Sequence, residues 1–155
     1  MNLVVFSEIS IYHELKTICD NENIIMQKVI ALDVCPLKYN AEIVKSLPKG
    51  RINIIFQSKN SIKYSNDIHK DIKEDEIKVY CLGKYSSRII KDVLLLEANY
   101  PQENYSSEDL FKIMIPEMSE AENILIIKGK DGRRYLEKSF KELGHNVEVI
   151  NVYER

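Results

Sequence analysis

The sequence predicts an α/β protein built around a parallel β-sheet. Short apolar runs alternate along the chain with longer segments of helical periodicity, which is the pattern of successive β-α units. Two of these runs, residues 54–56 and 124–127, are continuously apolar, as is typical of strands covered on both faces. The 155 residues, 45% hydrophobic and 30% charged, are enough for a globular chain with a sizeable core.

Strands and helices follow from the local pattern. Leu136, Phe140 and Leu143 recur at i, i+4 and i+7, which predicts one helix, and Gly144 stands where a helix-ending glycine belongs. Similar apolar stripes lie between the other apolar runs, so helices are expected on both faces of the sheet. The predicted strands are residues 3–6, 24–31, 52–56, 77–82, 97–100, 124–127 and 147–152.

A break in the chain is expected near Pro36. The stretch before it is extended and ends in proline, and the later run of Pro48, Lys49 and Gly50 ends a short helix. We therefore expect residues 1–36 to form a β-α-β fragment. Residues 37–150 would form a complete, flavodoxin-like α/β domain with a five-stranded parallel sheet.

Charge and cysteine content exclude several classes of protein. A net charge of −2 argues against a nucleic-acid-binding protein. Cys19, Cys35 and Cys81 form no C-x-x-C pair, so they are interpreted as free thiols with no metal framework. The sequence has no apolar stretch of about 20 residues, and we expect a soluble, cytoplasmic protein without membrane contact. Nucleotide-binding and hydrolase motifs of the G-x-x-x-x-G-K-[ST], G-x-G-x-x-G and G-x-S-x-G types are absent.

Three strand-to-helix turns are candidate anion-binding sites. In a parallel sheet such turns share the carboxyl edge, and each of these carries serine or glycine with a basic residue nearby. Backbone N–H groups at helix starts attract anions, although each turn alone is equally an ordinary helix start. The candidate binding residues are Ser58, Lys59 and Asn60 in the first turn, Gly83, Ser86 and Ser87 in the second, and Gly129, Lys130, Gly132 and Arg133 in the third.

The third turn is the most informative. The spacing predicts that Arg133 and Arg134 lie in the first turn of the next helix, with Asp131 as its cap. Positive charge is unfavourable at a helix start, and a carboxylate- or phosphate-bearing ligand would relieve the conflict. A solvated basic turn without a ligand is the structural alternative.

Taken in order, these segments resemble the uroporphyrinogen-III synthase family. Residues 54–62 are similar to its strand followed by Phe-Thr-Ser-x-Asn-Ala-Val, and residues 79–87 to its Val-Gly-x-x-Thr-Ala turn. Residues 128–133 resemble Arg-Gly-x-x-Gly-Arg, with Lys128 in place of the first arginine. Residues 100–110 resemble its Pro…Ser-Glu-Gly-Leu segment, and residues 152–155 its Val-Tyr-Arg ending.

The resemblance implies a cofactor-independent lyase of tetrapyrrole (heme) biosynthesis. Such an enzyme cyclises hydroxymethylbilane, a linear tetrapyrrole with many carboxylates, to uroporphyrinogen III with inversion of ring D and loss of water. The substrate would sit between two α/β domains, bound by backbone amides and helix starts. Tyr153 corresponds to the family tyrosine that helps the hydroxyl group leave, and no metal or other cofactor is implied.

The family arrangement also implies a domain organisation. Residues 1–36 would open an incomplete first domain, residues 37–150 would form the second, and residues 151–155 would begin a strand that returns to the first. The chain is then expected to stop before the returning half, to leave Tyr153 poorly held and to permit self-association through the first domain. Two alternatives are a truncated, non-catalytic tetrapyrrole-binding remnant and an unrelated flavodoxin-like binding module.

Overall fold

The computed structural model describes residues 2–7, 9–30, 33–65, 68 and 77–155. The chain divides into two compact units. The first comprises Met1–Cys35 together with Arg155, and the second comprises Pro36–Glu154.

The first unit is a β-α-β element. Strands β1 (Asn2–Ser7) and β2 (Ile25–Ile30) pair in parallel and are joined by helix α1 (Ile9–Asn21). Cys19 of the helix is buried, whereas Ile25 of β2 is two-thirds exposed. Two strands and one helix therefore bury only part of their apolar side chains, as expected for so small a sheet.

The second unit is built on a six-stranded sheet. Along the sheet the strands follow the order β3-β8-β7-β4-β5-β6, and β4 to β8 all pair in parallel. The parallel α/β fold is thus confirmed, with six strands in place of the predicted five, because two residues near Pro36 add a short strand at one edge. The strands are β3 (Cys35–Pro36), β4 (Ile52–Phe56), β5 (Ile77–Cys81), β6 (Ala98–Asn99), β7 (Asn123–Gly129) and β8 (Asn146–Glu154).

The strand order has a consequence for ligand binding. If β4 to β8 are numbered 1 to 5, their order is 3-2-1-4-5, whereas flavodoxin has the order 2-1-3-4-5. The chain leaves β4 in one direction to form β5 and β6, and then forms β7 and β8 on the other side of β4. The topological switch point therefore lies between β4 and β7.

Helices cover both faces of this sheet. Helices α4 and α5 pack against each other, and their Leu110 and Phe140 share one core cluster with Ile55 of β4. Ile54 and Phe56 alternate with Ile55, so they point to the opposite face, where α2 and α3 pack together. All of these side chains are buried. The helices are α2 (Lys59–Lys63), α3 (Lys84–Leu94), α4 (Ser107–Met114) and α5 (Tyr135–Glu142), with 3-10 helices at Ala41–Ser46 and Ile115–Glu117.

None of the helices in the described part of the chain has the length and apolar character that crossing a membrane requires.

Candidate active site at the carboxyl edge of the sheet

The turns singled out in the sequence follow strand ends that lie at one edge of the sheet. Phe56, the last residue of β4, is in register with Cys81 of β5 and Ile127 of β7. Gly129 of β7 is in register with Tyr153 of β8. The predicted common edge is therefore found. Parallel sheets bind ligands outside the carboxyl ends at the switch point, which here is flanked by the turns after β4 and β7.

Tyr153 is firmly held at this edge. Its side chain is only 5% exposed, and its hydroxyl oxygen lies 3.1 Å from Ser58 Oγ. Its backbone carbonyl accepts a hydrogen bond from the Lys130 N–H at 2.9 Å, and its ring lies near that of Tyr64, with 6.3 Å between centroids. The expectation of a poorly held Tyr153 is wrong, because β8 runs to Glu154 and pairs with β7 almost to its end.

Gly129 makes room for the tyrosine ring. A Cβ atom at this position would lie 2.6 Å from Tyr153 Cζ and 3.0 Å from the hydroxyl oxygen, closer than side-chain atoms pack. The requirement for glycine is therefore one of space, since Gly129 has no positive φ angle. The structure thus brings together three of the predicted site residues: Ser58, Gly129 and Tyr153.

The Ser58 side chain both caps helix α2 and contacts the Tyr153 hydroxyl. Its Oγ caps α2 by accepting the Ser61 N–H at 3.0 Å, while Ser61 Oγ accepts the Ser58 N–H at 3.0 Å and donates to the Ser58 carbonyl at 2.6 Å. This capping box fixes the Ser58 hydroxyl beside Tyr153. Lys59 and Asn60 follow in the first turn of α2, half-buried and buried respectively. Ser58 therefore orients the tyrosine, in addition to any contact with a ligand.

The turn of residues 129–132, here called the Gly129 turn, is closed by a hydrogen bond from the Gly132 N–H to the Gly129 carbonyl at 2.9 Å. Helix α5 begins only at Tyr135, with Arg134 at its N-cap position and no side-chain cap. The prediction that Asp131 caps this helix is wrong. Arg133 and Arg134 precede the helix and do not lie in its first turn.

The segment just before α5 is hydrogen-bonded by Lys128. Its Nζ donates to the carbonyls of Gly132 at 2.9 Å and Arg133 at 3.3 Å. Those two carbonyls would accept helical N–H groups if the helix began earlier, so a side-chain donor replaces the backbone donors. Burial lowers the pKa of Lys128, and the nearby Glu137 opposes that shift.

The basic residues in and directly after the Gly129 turn, Lys130 and Arg133, are paired with carboxylates of the protein. The Arg133 guanidinium donates to both carboxylate oxygens of Glu108, which lowers the pKa of that glutamate. Lys130 Nζ donates to Glu154 at 3.1 Å. Exposed ion pairs of this kind contribute little to stability, so an incoming carboxylate can replace either glutamate at small cost.

The turn after β5, residues 82–83 and here called the Gly83 turn, is built differently. Gly83 occupies the N-cap position of α3, and a Cβ there would lie 2.9 Å from Tyr105 Cγ. Ser87 Oγ donates to the Ala98 carbonyl at 3.3 Å, and Ser86 is half-buried in the first turn of α3. These recorded contacts go to Tyr105 and to β6, so in the described residues this turn is not joined to the cluster at Tyr153.

Sequence reasoning gave no role to several residues of this edge. Tyr105 covers Gly83, Glu108 pairs with Arg133, and Tyr64 lies beside Tyr153. Tyr105 and Glu108 fall within a segment that carries the family resemblance. No local signal connects them with Gly83 or Arg133, because that proximity depends on the order of the strands.

The fold and this edge define an α/β protein with a tyrosine at the switch point of a parallel sheet. A family model described as uroporphyrinogen-III synthase HemD matches residues 31–155. The chain therefore belongs to the uroporphyrinogen-III synthase family, and the alternative of an unrelated flavodoxin-like binding module is excluded. No curated protein matches the chain significantly.

Two solved structures from the extremely thermophilic bacterium Thermus thermophilus have a similar fold. A mutant uroporphyrinogen III synthase is 12% identical in sequence, with a TM-score of 0.65. A second uroporphyrinogen III synthase structure is 15% identical, with a TM-score of 0.56. Each match covers 99% of this chain and 62% of the other. The chain thus spans less than two thirds of the length of these structures.

Proposed function

We propose that the chain acts as a uroporphyrinogen-III synthase in tetrapyrrole biosynthesis. It would cyclise hydroxymethylbilane to uroporphyrinogen III, with inversion of ring D and release of water. Family membership supports the reaction class. The observation that carries the proposal is the buried Tyr153, whose hydroxyl is held by Ser58 at the switch-point edge.

Tyr153 is the proposed catalytic residue. In the reaction the carbon–oxygen bond of the hydroxymethyl group breaks, and the departing hydroxyl takes up a proton and leaves as water. The freed methylene carbon bonds to the ring-D α-carbon that already carries the methylene bridge to ring C. That bridge then breaks from this carbon and re-forms at the other α-carbon of ring D, which loses a proton, so ring D is inverted and the atoms balance. A phenol is protonated at neutral pH and can donate a hydrogen bond to the leaving hydroxyl.

The remaining site residues would bind the carboxylates of the linear tetrapyrrole. Lys130 and Arg133 are exposed and can exchange Glu154 and Glu108 for substrate carboxylates. Backbone groups of Gly129 and Gly132 form the adjacent turn. Further contacts along the same edge are proposed for Lys59, Asn60, Gly83, Ser86 and Ser87.

The test is an isomer-resolved assay of the purified chain with hydroxymethylbilane. An enzyme forms isomer III faster than spontaneous closure forms isomer I. Tyr153→Phe should reduce kcat roughly 100-fold, the order of effect of a lost proton donor, with little change in KM. The matched control is Tyr105→Phe, since this exposed tyrosine lies over the other glycine turn and should leave kcat unchanged.

Two results would count against the proposal. Tight binding of the tetrapyrrole without any turnover would identify a non-catalytic binding protein. Full activity of the Tyr153→Phe variant would remove the tyrosine from the mechanism while keeping the reaction.

A further inference from the structure

We propose that Lys128 is a positioning residue for Tyr153, acting through the Gly129 turn. Its ammonium group would hold this turn in the one shape that seats the tyrosine hydroxyl at the edge of the sheet. The catalytic consequence rests on the function proposed above, whereas the structural part can be tested without it.

Lys128 is buried in an unusual way for a lysine. Only 4% of the residue is exposed, and among the described residues no carboxylate lies within salt-bridge distance of its Nζ. Its two recorded partners are the carbonyls of Gly132 and Arg133. Burying an ammonium group costs free energy that an apolar side chain would not, and the two hydrogen bonds to backbone carbonyls offset part of that cost.

The two acceptors lie in the segment that shapes the turn. Lys128 Nζ holds the Gly132 carbonyl, while the N–H of Gly132 closes the turn onto the Gly129 carbonyl. The Lys128 stem also lies beneath the turn, with Cδ 3.5 Å from the position of a Cβ at Gly132. The side chain therefore fixes the turn from the inside by donation and by packing.

The Gly129 turn also fixes the position of Tyr153. The ring of Tyr153 rests directly on Gly129, and its carbonyl accepts the Lys130 N–H. Any rearrangement of the turn would move the surface on which the ring lies and shift the hydroxyl relative to Ser58. A displacement of about 1 Å in a catalytic group can cost on the order of 100-fold in rate, so a modest shift is sufficient.

Direct binding of the substrate by Lys128 is the competing explanation. The burial of the side chain and the direction of its hydrogen bonds, toward two backbone carbonyls, oppose it. The corresponding family motif has arginine at this position, and a guanidinium can donate to the same two carbonyls. Lys128→Arg is therefore the conservative variant that should retain the positioning role.

The experiment compares Lys128→Met, Lys128→Arg and the control Lys138→Met, which changes an exposed lysine of α5. Two measurements are made on each full chain: kcat and KM with hydroxymethylbilane, and amide hydrogen exchange at Lys130 and Gly132 by NMR. Lys128→Met should lower kcat about tenfold with KM within about twofold of the parent, and should speed exchange at Gly132 severalfold. Lys128→Arg should restore both, and Lys138→Met should change neither.

Other outcomes overturn the proposal. A raised KM with unchanged kcat and unchanged exchange would make Lys128 a substrate ligand. Faster exchange at Gly132 with unchanged kcat would separate the turn from catalysis. If the unaltered chain shows no turnover, the proposed function fails, and unchanged exchange in Lys128→Met then refutes the structural role as well. If Lys128→Met does not fold, Lys128→Arg decides: parent-like exchange supports the role, and faster exchange refutes it.

Discussion

The Gly129 turn and the Gly83 turn look alike in sequence but differ in what covers them. Each follows a buried strand, and in each a tyrosine ring lies where a Cβ atom would be. Tyr153, over Gly129, is 5% exposed and belongs to a strand, whereas Tyr105, over Gly83, is 57% exposed and precedes a helix. The same glycine–tyrosine contact is thus buried and constrained at one turn, and open to solvent at the other.

The difference separates a contact that positions a group from one that only covers backbone. Tyr153 is held by backbone pairing, by Ser58 and by the turn beneath it, so its hydroxyl has a defined place. Tyr105 can move into solvent without disturbing a core. Precise placement is what a catalytic hydroxyl requires, and this supports placing the proposed chemistry at the Gly129 turn.

The largest effect is expected at Gly129 when a methyl group is added to each of the two glycines by substitution with alanine. Gly129→Ala forces a buried ring to move and should destabilise the fold by about 1–3 kcal/mol, the usual range for overpacking. It should also abolish most turnover, because the hydroxyl moves with the ring. Gly83→Ala should cost less than about 1 kcal/mol, since an exposed Tyr105 can rotate away. Urea denaturation and the synthase assay measure both effects.

Equal losses of stability in the two alanine variants would break the comparison. The two contacts would then be equally constrained, and burial of Tyr153 would not distinguish them. A larger loss in Gly83→Ala would assign the constrained contact to the other turn.

An intermediate effect is expected at the serine that connects the Gly129 turn to α2. Ser58→Ala removes a helix cap and the partner of the Tyr153 hydroxyl, and should destabilise the chain by about 1–2 kcal/mol. Ser106→Ala is the matched control, because Ser106 caps α4 through the Asp109 N–H and has no recorded contact with Tyr153. Both variants should lose stability, but only Ser58→Ala should lower kcat.

A fall in kcat of the same size in Ser106→Ala would show that the loss reflects general destabilisation. The role of Ser58 in orienting Tyr153 would then have no support.

Much of the fold was predictable because it follows from local patterns. Strand β4 was predicted with its observed bounds, since the apolar run of residues 54–56 is typical of a strand between two covering layers. The common edge followed from the handedness of β-α-β connections. Strand β8 was predicted to end two residues early, because Tyr153 and Glu154 carry no period that marks a strand, and backbone pairing with β7 sets its end.

The errors arise where side-chain contacts without a recognisable sequence pattern accompany the local structure. Before α5, the Lys128 amine bonds to two carbonyls that a helix beginning earlier would use. The charge of Arg133 is compensated by Glu108, which is far away in sequence and is brought near by the packing of α4 against α5. Neither pairing has a spacing that the sequence alone could reveal.

The smallest effect expected concerns the charges that distinguish the helices after the two turns. Glu137, in the first turn of α5, accepts hydrogen bonds from Arg134 and Lys141, and these lower its pKa to about 2. The first turn of α3 contains no acidic residue. Because the folded-state pKa is depressed, the stabilisation by Glu137 is complete above its unfolded pKa of about 4.3 and is lost as the pH falls toward 2.

Amide exchange at the two helix starts provides the measurement. The Lys138 N–H bonds to the Arg134 carbonyl, and the Ser87 N–H bonds to the Gly83 carbonyl, so the two amides report the first turns of α5 and α3. Between about pH 5 and pH 2, after correction for intrinsic exchange, the free energy of opening measured at the Lys138 amide should fall by about 1 kcal/mol or less. The effect is small because the two basic partners of Glu137 are largely exposed. Protection at Ser87 should stay constant, and Glu137→Gln should abolish the pH dependence at Lys138. A parallel loss at both amides would instead mean that acid loosens the whole sheet, and the distinction between the two turns would not extend to their helices.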